Sequence, residues 1–266
     1  MKILYYNFIK FLLLFLLILI LVFIFRTLNE SPIYNEKLKI LYEDDYIIVI
    51  DKPSDIAVHG ALKYKGPTIV DTLNANGYKL YKNGVVHRLD VGTSGVMVLA
   101  KNEDAYNSLK YQFKNHTVKK IYNALVQGKL EEPDGTINLP IGIINKEDNI
   151  YAVVENGKPS ITNYKTIKVF NGLGILSNVS LLEVQIETGR THQIRVHFSH
   201  MNHPLIGDTK YGSDTIFDEV IGVKHQWLNA KYLEFNHPLT GEKIFFYSDY
   251  PKDLKNSISL LSQNNI

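Results

Sequence analysis

The chain has 266 residues, 45% of them apolar, with 29 basic and 27 acidic side chains and no cysteine. That length and apolar content suffice for one substantial core, while the missing thiols exclude disulfides, thiolate metal sites and cysteine nucleophiles. The sequence has no Gly-rich phosphate loop, GxSxG elbow or HExxH helix, so the common nucleotide, serine-hydrolase and zinc-protease readings lack support.

In chain order, the first element is FLLLFLLILILVFIF, Phe11 to Phe25, between Lys10 and Arg26. Extended back to Ile3 it reaches 23 residues, enough for a spanning helix of ~20 apolar residues. No small-x-small cleavage site follows, so residues 3–25 read as a membrane anchor. A cleaved leader, an organelle-targeting leader and a mis-assigned start are the alternatives. Lys2 and Lys10 lie on one side and Arg26, Lys37 and Lys39 on the other, a weak signal for a cytoplasmic remainder. We therefore expect a separate hydrophobic segment at 1–26, a linker at 27–37 and one folded domain at 38–266. Without residues 1–26 the chain has 26 basic and 27 acidic side chains. Binding to a nucleic acid would thus need a local basic patch.

LKILYEDDYIIVIDKPS reads as two strands around an acidic turn at Asp44 and Asp45, with Asp51 and Lys52 in the turn before Pro53. PTIVDTLNANGY predicts a short helix closing at Gly77. GVVHRLDVGTSGVMVLAK reads as a hairpin-like pair, in which an extended VVHRLD puts Arg88 and Asp90 on one face and Leu89 on the other. Its glycines allow unusual backbone angles, and Thr93 and Ser94 are placed to bond local amides. NEDAYNSLKYQFKNH predicts an amphipathic helix with Asn102 as N-cap and Ala105, Leu109 and Phe113 inward. KKIYNALVQGKL, ITNYKTIKVF and SLLEVQIET alternate as strands. HQIRVHFSHMN reads as a helix, KYLEFNHPLTGEKIFFYS as a hairpin and DLKNSISLLS as a closing helix. Many strands with few βαβ spacings predict an α+β domain on a mixed, mostly antiparallel sheet.

Arginine usage carries the chemistry. Of 29 basic residues 25 are Lys, and Arg occurs at Arg26, Arg88, Arg190 and Arg195. Beyond the membrane boundary, arginine is confined to RLD and GRTHQIR, where a planar, permanently charged fork does what lysine cannot. On the predicted helix His192, Arg195 and Ser199 share a face. A partly buried Arg195 wants a carboxylate, and Asp90 is the one offered; such pairing keeps Asp90 ionised, as a nucleophile or base requires. His192, His197, His200 and His203 lack an acidic ligand motif and hold an arginine among them, which argues against a metal site. Lys110, Lys114, Lys119 and Lys120, with His116, form a basic run that is either a solvated face or a set of phosphate contacts.

Six motifs in order resemble the RluA-type pseudouridine synthases: YEDDYIIVIDKPSDIAVHG, VVHRLDVGTSGVMVLAK, VKKIYNALVQG, GKPSITNY, ETGRTHQIRVHFSHMNHPLIGDTKYG and QWLNAKYLEFNHPLTGE. The resemblance spans about Leu38 to Leu254. It implies a pseudouridine synthase fold with flanking helices and a central RNA-binding cleft, acting on structured RNA without cofactor or metal. Large-subunit rRNA is the expected substrate, tRNA the alternative, and a monomer the expected state. Asp90 becomes the catalytic aspartate, Tyr122 the active-site tyrosine and Arg195 the partner of Asp90. Arg88, with His87, Arg190 and His192, is expected to contact RNA or displace the target base; Lys114, Lys119 and Lys120 are expected to contact phosphates. Only residues 27–37 separate the apolar run from this domain, so the small RNA-binding module that many relatives carry ahead of it is not expected. The competing readings are a catalytically silent, membrane-tethered RNA-binding protein on the same fold, and a hydrolase on an unrelated one.

Overall fold

The computed structural model describes residues 38–60, 64–172 and 178–263. The run expected as an anchor and its linker lie outside them. Among the described residues no helix is long and apolar enough to cross a membrane.

The two strands expected at the start are β1, Lys39–Glu43, and β2, Ile47–Lys52. Asp44 makes the turn between them, its Oδ1 accepting the amides of Tyr46 and Ile47 at 2.7 and 2.8 Å. The turn expected at Asp51 and Lys52 is instead the end of β2, and Lys52 is buried. Helix α1, Ile69–Ala75, starts on a capping box between Thr68 and Asp71 and ends before Gly77, whose φ is +86°. Strand β3, Ser94–Ala100, is buried throughout. Helix α2, Glu103–Lys114, takes Asn102 as its N-cap and turns Ala105 and Leu109 inward.

VVHRLD is not a strand of the sheet. Val85 alone bridges to Leu99, on the edge of β3 opposite its pairing with β2. The alternation survives: Arg88 is exposed and Leu89 buried.

The remaining strands are β4 (Lys119–Gln127), β5 (Asp134–Asn138), β6 (Ile141–Asn145), β7 (Ile150–Val153), β8 (Ile161–Phe170), β9 (Val179–Ile186), β10 (Leu228–Asn236) and β11 (Lys243–Tyr247). Helices α3 (Gln193–His200), α4 (Thr215–Val220) and α5 (Lys252–Gln263) complete the described part. The sheet runs β1-β2-β3-β10-β4-β9-β8-β5 with β11 on β10, while β6 and β7 form a hairpin apart. Every pairing is antiparallel except β3 with β10, so the sheet is mixed and mostly antiparallel, as the sequence predicts. Strands β5 to β7 and helix α4 are elements the periodicity does not announce.

The parallel contact is short, Ser94 with Asn229 and Gly95 with Ala230. Gly95 has φ +119°, and a Cβ there would fall 2.4 Å from the Ala230 carbonyl oxygen; only glycine lets the backbones approach so closely. Across this seam Ile50, Met97, Tyr122, Val184 and Phe198 belong to one core cluster. Trp227, Leu254 and Leu261 form a second with Leu125, which alternates with Tyr122 on β4 and so faces away from it.

Candidate active site

A cleft of about 550 Å³ opens where the loop ending in Asp90, the end of α2, the start of β4 and the turn into α3 converge. It collects His87, Arg88, Asp90, Lys114, Lys120, Tyr122, Arg190, His192 and Arg195. Lys119 is not among them. Adjacent strand residues point to opposite faces, so Lys120 faces the cleft while Lys119 lies over the Tyr232 ring at 5.8 Å. Of the three lysines expected to contact phosphates, Lys114 and Lys120 line the cleft and Lys119 lies beside it.

Asp90 sits at a tight turn closed by Thr93 N–H donating to Asp90 O at 3.0 Å. Gly92 fits there because a Cβ would lie 2.5 Å from Gln226 Oε1 and 2.9 Å from His225 Cβ. Thr93 and Ser94 do not bond local amides as expected. Their hydroxyls accept from Gln226 Nε2 at 3.2 Å and Asn229 Nδ2 at 2.9 Å, across the seam to β10. Lys52 closes the turn from below: its Nζ donates to Pro53 O, Val91 O and Thr93 O at 2.8, 3.1 and 2.8 Å. Burial pushes its pKa down to about 7, while the charges of Asp90 and Asp55 act against that shift. Sequence reasoning assigned Lys52 no role.

The expected pair is present: Arg195 Nη1 donates to Asp90 Oδ2 at 3.1 Å. Arg195 also has a partner the sequence reading missed. Its Nε and Nη2 donate to Asp208 Oδ2 and Oδ1 at 2.6 and 2.9 Å, a bidentate pair with both side chains buried. Burial alone would lower the arginine's pKa; the bonds and charge of Asp208, then Asp90, more than offset it, so the guanidinium stays charged. The only sequence signal for Asp208 is its place in LIGDTKYG, shortly after the helix.

His192 precedes α3 with φ +56°, a left-handed conformation rare for a non-glycine residue. Its Nε2 is 3.8 Å from Asp90 Oδ2, and its Nδ1 is 2.7 Å from the Tyr211 hydroxyl. Burial pushes its pKa down to about 4 against the pull of Asp90, so the ring is neutral near pH 7. Ser199, expected on the same face, donates to Tyr211 O at 2.7 Å, so His192, Arg195 and Ser199 all meet Tyr211. Gln193 ties the loop together, its Oε1 accepting from Thr188 Oγ1 and Arg190 N and its Nε2 donating to Ile161 O. Arg190 Nε donates to Pro159 O at 3.1 Å.

Tyr122 is 9% exposed on β4, and burial, then the charge of Asp90, pushes its pKa up, so it remains a phenol. Lys120 is buried beside it, and burial followed by Arg190 lowers its pKa to about 8. His87 stacks on Phe113 at 4.3 Å, and its Nε2 accepts Val98 N–H at 3.2 Å. Burial brings its pKa to about 3. Arg88 is exposed at the rim. The histidines weighed as metal ligands disperse: His197 bonds Thr162 and Leu139, and His203 bonds Gln127.

Comparison with known proteins matches residues 46–200 to the RNA pseudouridylate synthase family. A Mycobacterium tuberculosis protein described as an uncharacterised RNA pseudouridine synthase is 44% identical over 240 residues, covering 88% of this chain and 76% of that one. Ribosomal large subunit pseudouridine synthase D of Pseudomonas aeruginosa is 37% identical over 240 residues, covering 86% and 73%. Among solved structures, human RNA pseudouridylate synthase domain containing 1 matches with a TM-score of 0.65 at 30% identity, covering 81% of this chain and 84% of that one. With its mixed sheet and charged cleft, the chain belongs to the RNA pseudouridylate synthase family and is an RNA pseudouridine synthase.

Proposed function

We propose that this cleft isomerises uridine in large-subunit ribosomal RNA, with Asp90 as the catalytic carboxylate. The observation that carries the catalytic assignment is the Arg195–Asp90 contact at 3.1 Å beside the buried Tyr122 ring. The ribosomal target rests on the large-subunit synthases at 37 to 40% identity; tRNA is the alternative.

The reaction breaks the N1–C1′ bond, turns the uracil and rejoins it through C5, with loss of the C5 proton. Asp90, positioned by the Arg195 contact, either attacks the nucleoside or removes a proton from C2′ as a carboxylate. C1′ and C5 are out of reach in a stacked helix, so the uridine is turned out, and the exposed Arg88 at the rim is placed to fill the gap. Tyr122 remains a phenol, so it serves as a wall for the base and a hydrogen-bonding group near the departing C5 proton, not as a resident phenolate. Arg190, Lys114 and Lys120 supply positive charge for the phosphates, while His192 meets the nucleoside itself. His87 supports Arg88 from behind, its ring already engaged by Phe113 and Val98. The enzyme works as a monomer facing the cytoplasm; the anchor reading for residues 3–25 rests on their apolar composition.

Pseudouridine mapping of ribosomal RNA and tRNA from cells lacking this protein tests the target. A uridine unmodified in 23S-type RNA and restored by the wild-type gene supports the proposal; a site missing from tRNA alone moves the assignment there.

A further inference from the structure

Tyr211 takes part in none of the roles above, yet it controls the imidazole that faces Asp90. Its hydroxyl lies 2.7 Å from His192 Nδ1 and receives the Tyr151 amide at 3.1 Å. A phenol has one proton to give. With Tyr151 N–H donating into the oxygen, the hydroxyl's own proton goes to Nδ1, its remaining partner among the described residues. Nδ1 then accepts, and the hydrogen of a neutral ring sits on Nε2, 3.8 Å from Asp90 Oδ2. The other neutral tautomer would aim a lone pair at a carboxylate and leave the Tyr211 proton without an acceptor.

The surroundings hold this arrangement. Tyr151 and Tyr211 pack edge-on against the imidazole at 5.6 and 5.5 Å. The Arg195 guanidinium lies over the Tyr211 ring at 5.0 Å, and Ser199 bonds the Tyr211 carbonyl. A non-glycine residue in the left-handed region persists where its neighbours over-determine it. Asp90 and Asp208 favour protonation of His192, whereas burial, Arg195 and Lys210 oppose it.

We propose that Tyr211, assisted by the Tyr151 amide, is a positioning residue that fixes His192 as a neutral Nε2–H donor beside Asp90, aimed at a carbonyl or hydroxyl of the bound uridine. A separation of 3.8 Å is too long for a hydrogen bond to Asp90, so this N–H is left for the substrate. The inference deepens the functional reading above and rests on it for the identity of the acceptor.

Long-range proton–nitrogen correlation on the full chain, labelled with 15N-histidine, reads the tautomer directly, with His192→Gln assigning the signal. The expected result at pH 7 is a neutral His192 protonated at Nε2 in the wild type and a tautomer mixture in Tyr211→Phe. That variant keeps its ring beneath Arg195. Its kcat on large-subunit rRNA should fall roughly tenfold, less than the 10²–10³ lost with a whole oxyanion-type donor, while KM stays within about twofold. An imidazolium or an Nδ1–H tautomer in the wild type overturns the proposal, as does an unchanged kcat in Tyr211→Phe. The tautomer is read without substrate. A wild type that shows Nε2–H but isomerises no uridine would therefore contradict the functional reading and not the Tyr211–His192 assignment.

Discussion

Arg195 and Asp208 meet fork to fork, at 2.6 and 2.9 Å, and the guanidinium nitrogen left over is the one that reaches Asp90. Asp208 thus fixes the arginine so that its third contact is aimed. Their side chains are 8% and 1% exposed, and removing one member of a buried pair costs about 3–5 kcal/mol. Asp208→Ala should lose stability near the low end of that range, since Asp90 still compensates part of the charge, and activity should fall at least about tenfold because Arg195 is no longer aimed. Urea unfolding and single-turnover rates measure the two effects. An unmoved midpoint would show that the pair contributes nothing.

Lys52 makes the corresponding prediction for the other side of Asp90. Its three carbonyl acceptors belong to Pro53 and to the two residues Val91 and Thr93 that flank the Gly92 turn. Lys52→Met fills similar space without donors, and bonds from a charged group are worth about 1.5–3 kcal/mol. Slower isomerisation with unchanged RNA affinity is expected, because Lys52 is buried and touches no solvent-borne phosphate. Weaker RNA binding at a normal single-turnover rate would contradict this.

His87 gives a pH dependence with a definite sign. Its folded pKa, about 3, lies below the ordinary 6.5, because burial favours the neutral ring. The unfolded chain therefore takes up a proton from about pH 6.5 downward while the folded one does not, so stability is lost as pH falls through that window. His192, at about 4, acts in the same direction. Between pH 6.5 and 5 most carboxylates are still ionised, which isolates the histidines. His87→Leu should flatten the fall in melting temperature over that interval; a slope equal to the wild type would reject the assignment.

Salt dependence separates the cleft's cations from the one beside it. Each phosphate neutralised contributes about 0.7–0.9 to the slope of log K against log salt. Arg190→Ala should reduce the slope by nearly one such step. Lys119→Ala should leave it unchanged, because Lys119 lies over Tyr232 and away from the cleft.

Much of this was legible in the sequence, for reasons that can be stated. Helix α2 and strand β8 show their buried residues at spaced intervals, and confinement of arginine to two segments exposed the Asp90–Arg195 pair. The rest depends on the chain returning to itself. Asp208 meets Arg195 because the segment after α3 folds back, with Gly207 at φ +77° in a contact no spacing announces. Lys52 passed for a turn residue because a buried lysine needs carbonyls brought from residues 91 and 93. Tyr211 is one of 17 tyrosines, and nothing local marks it as the neighbour of His192. Strands β6 and β7 are short, and the exposed Ile143 and Ile144 blur the alternation that would announce them.

The most direct test follows tritium released to water from large-subunit rRNA labelled at uridine C5, with wild type and Asp90→Asn compared on the same RNA. Release by the wild type, with none by an Asp90→Asn protein that still binds the RNA, is the predicted result. Equal release by both would remove Asp90 from the chemistry and with it the central claim.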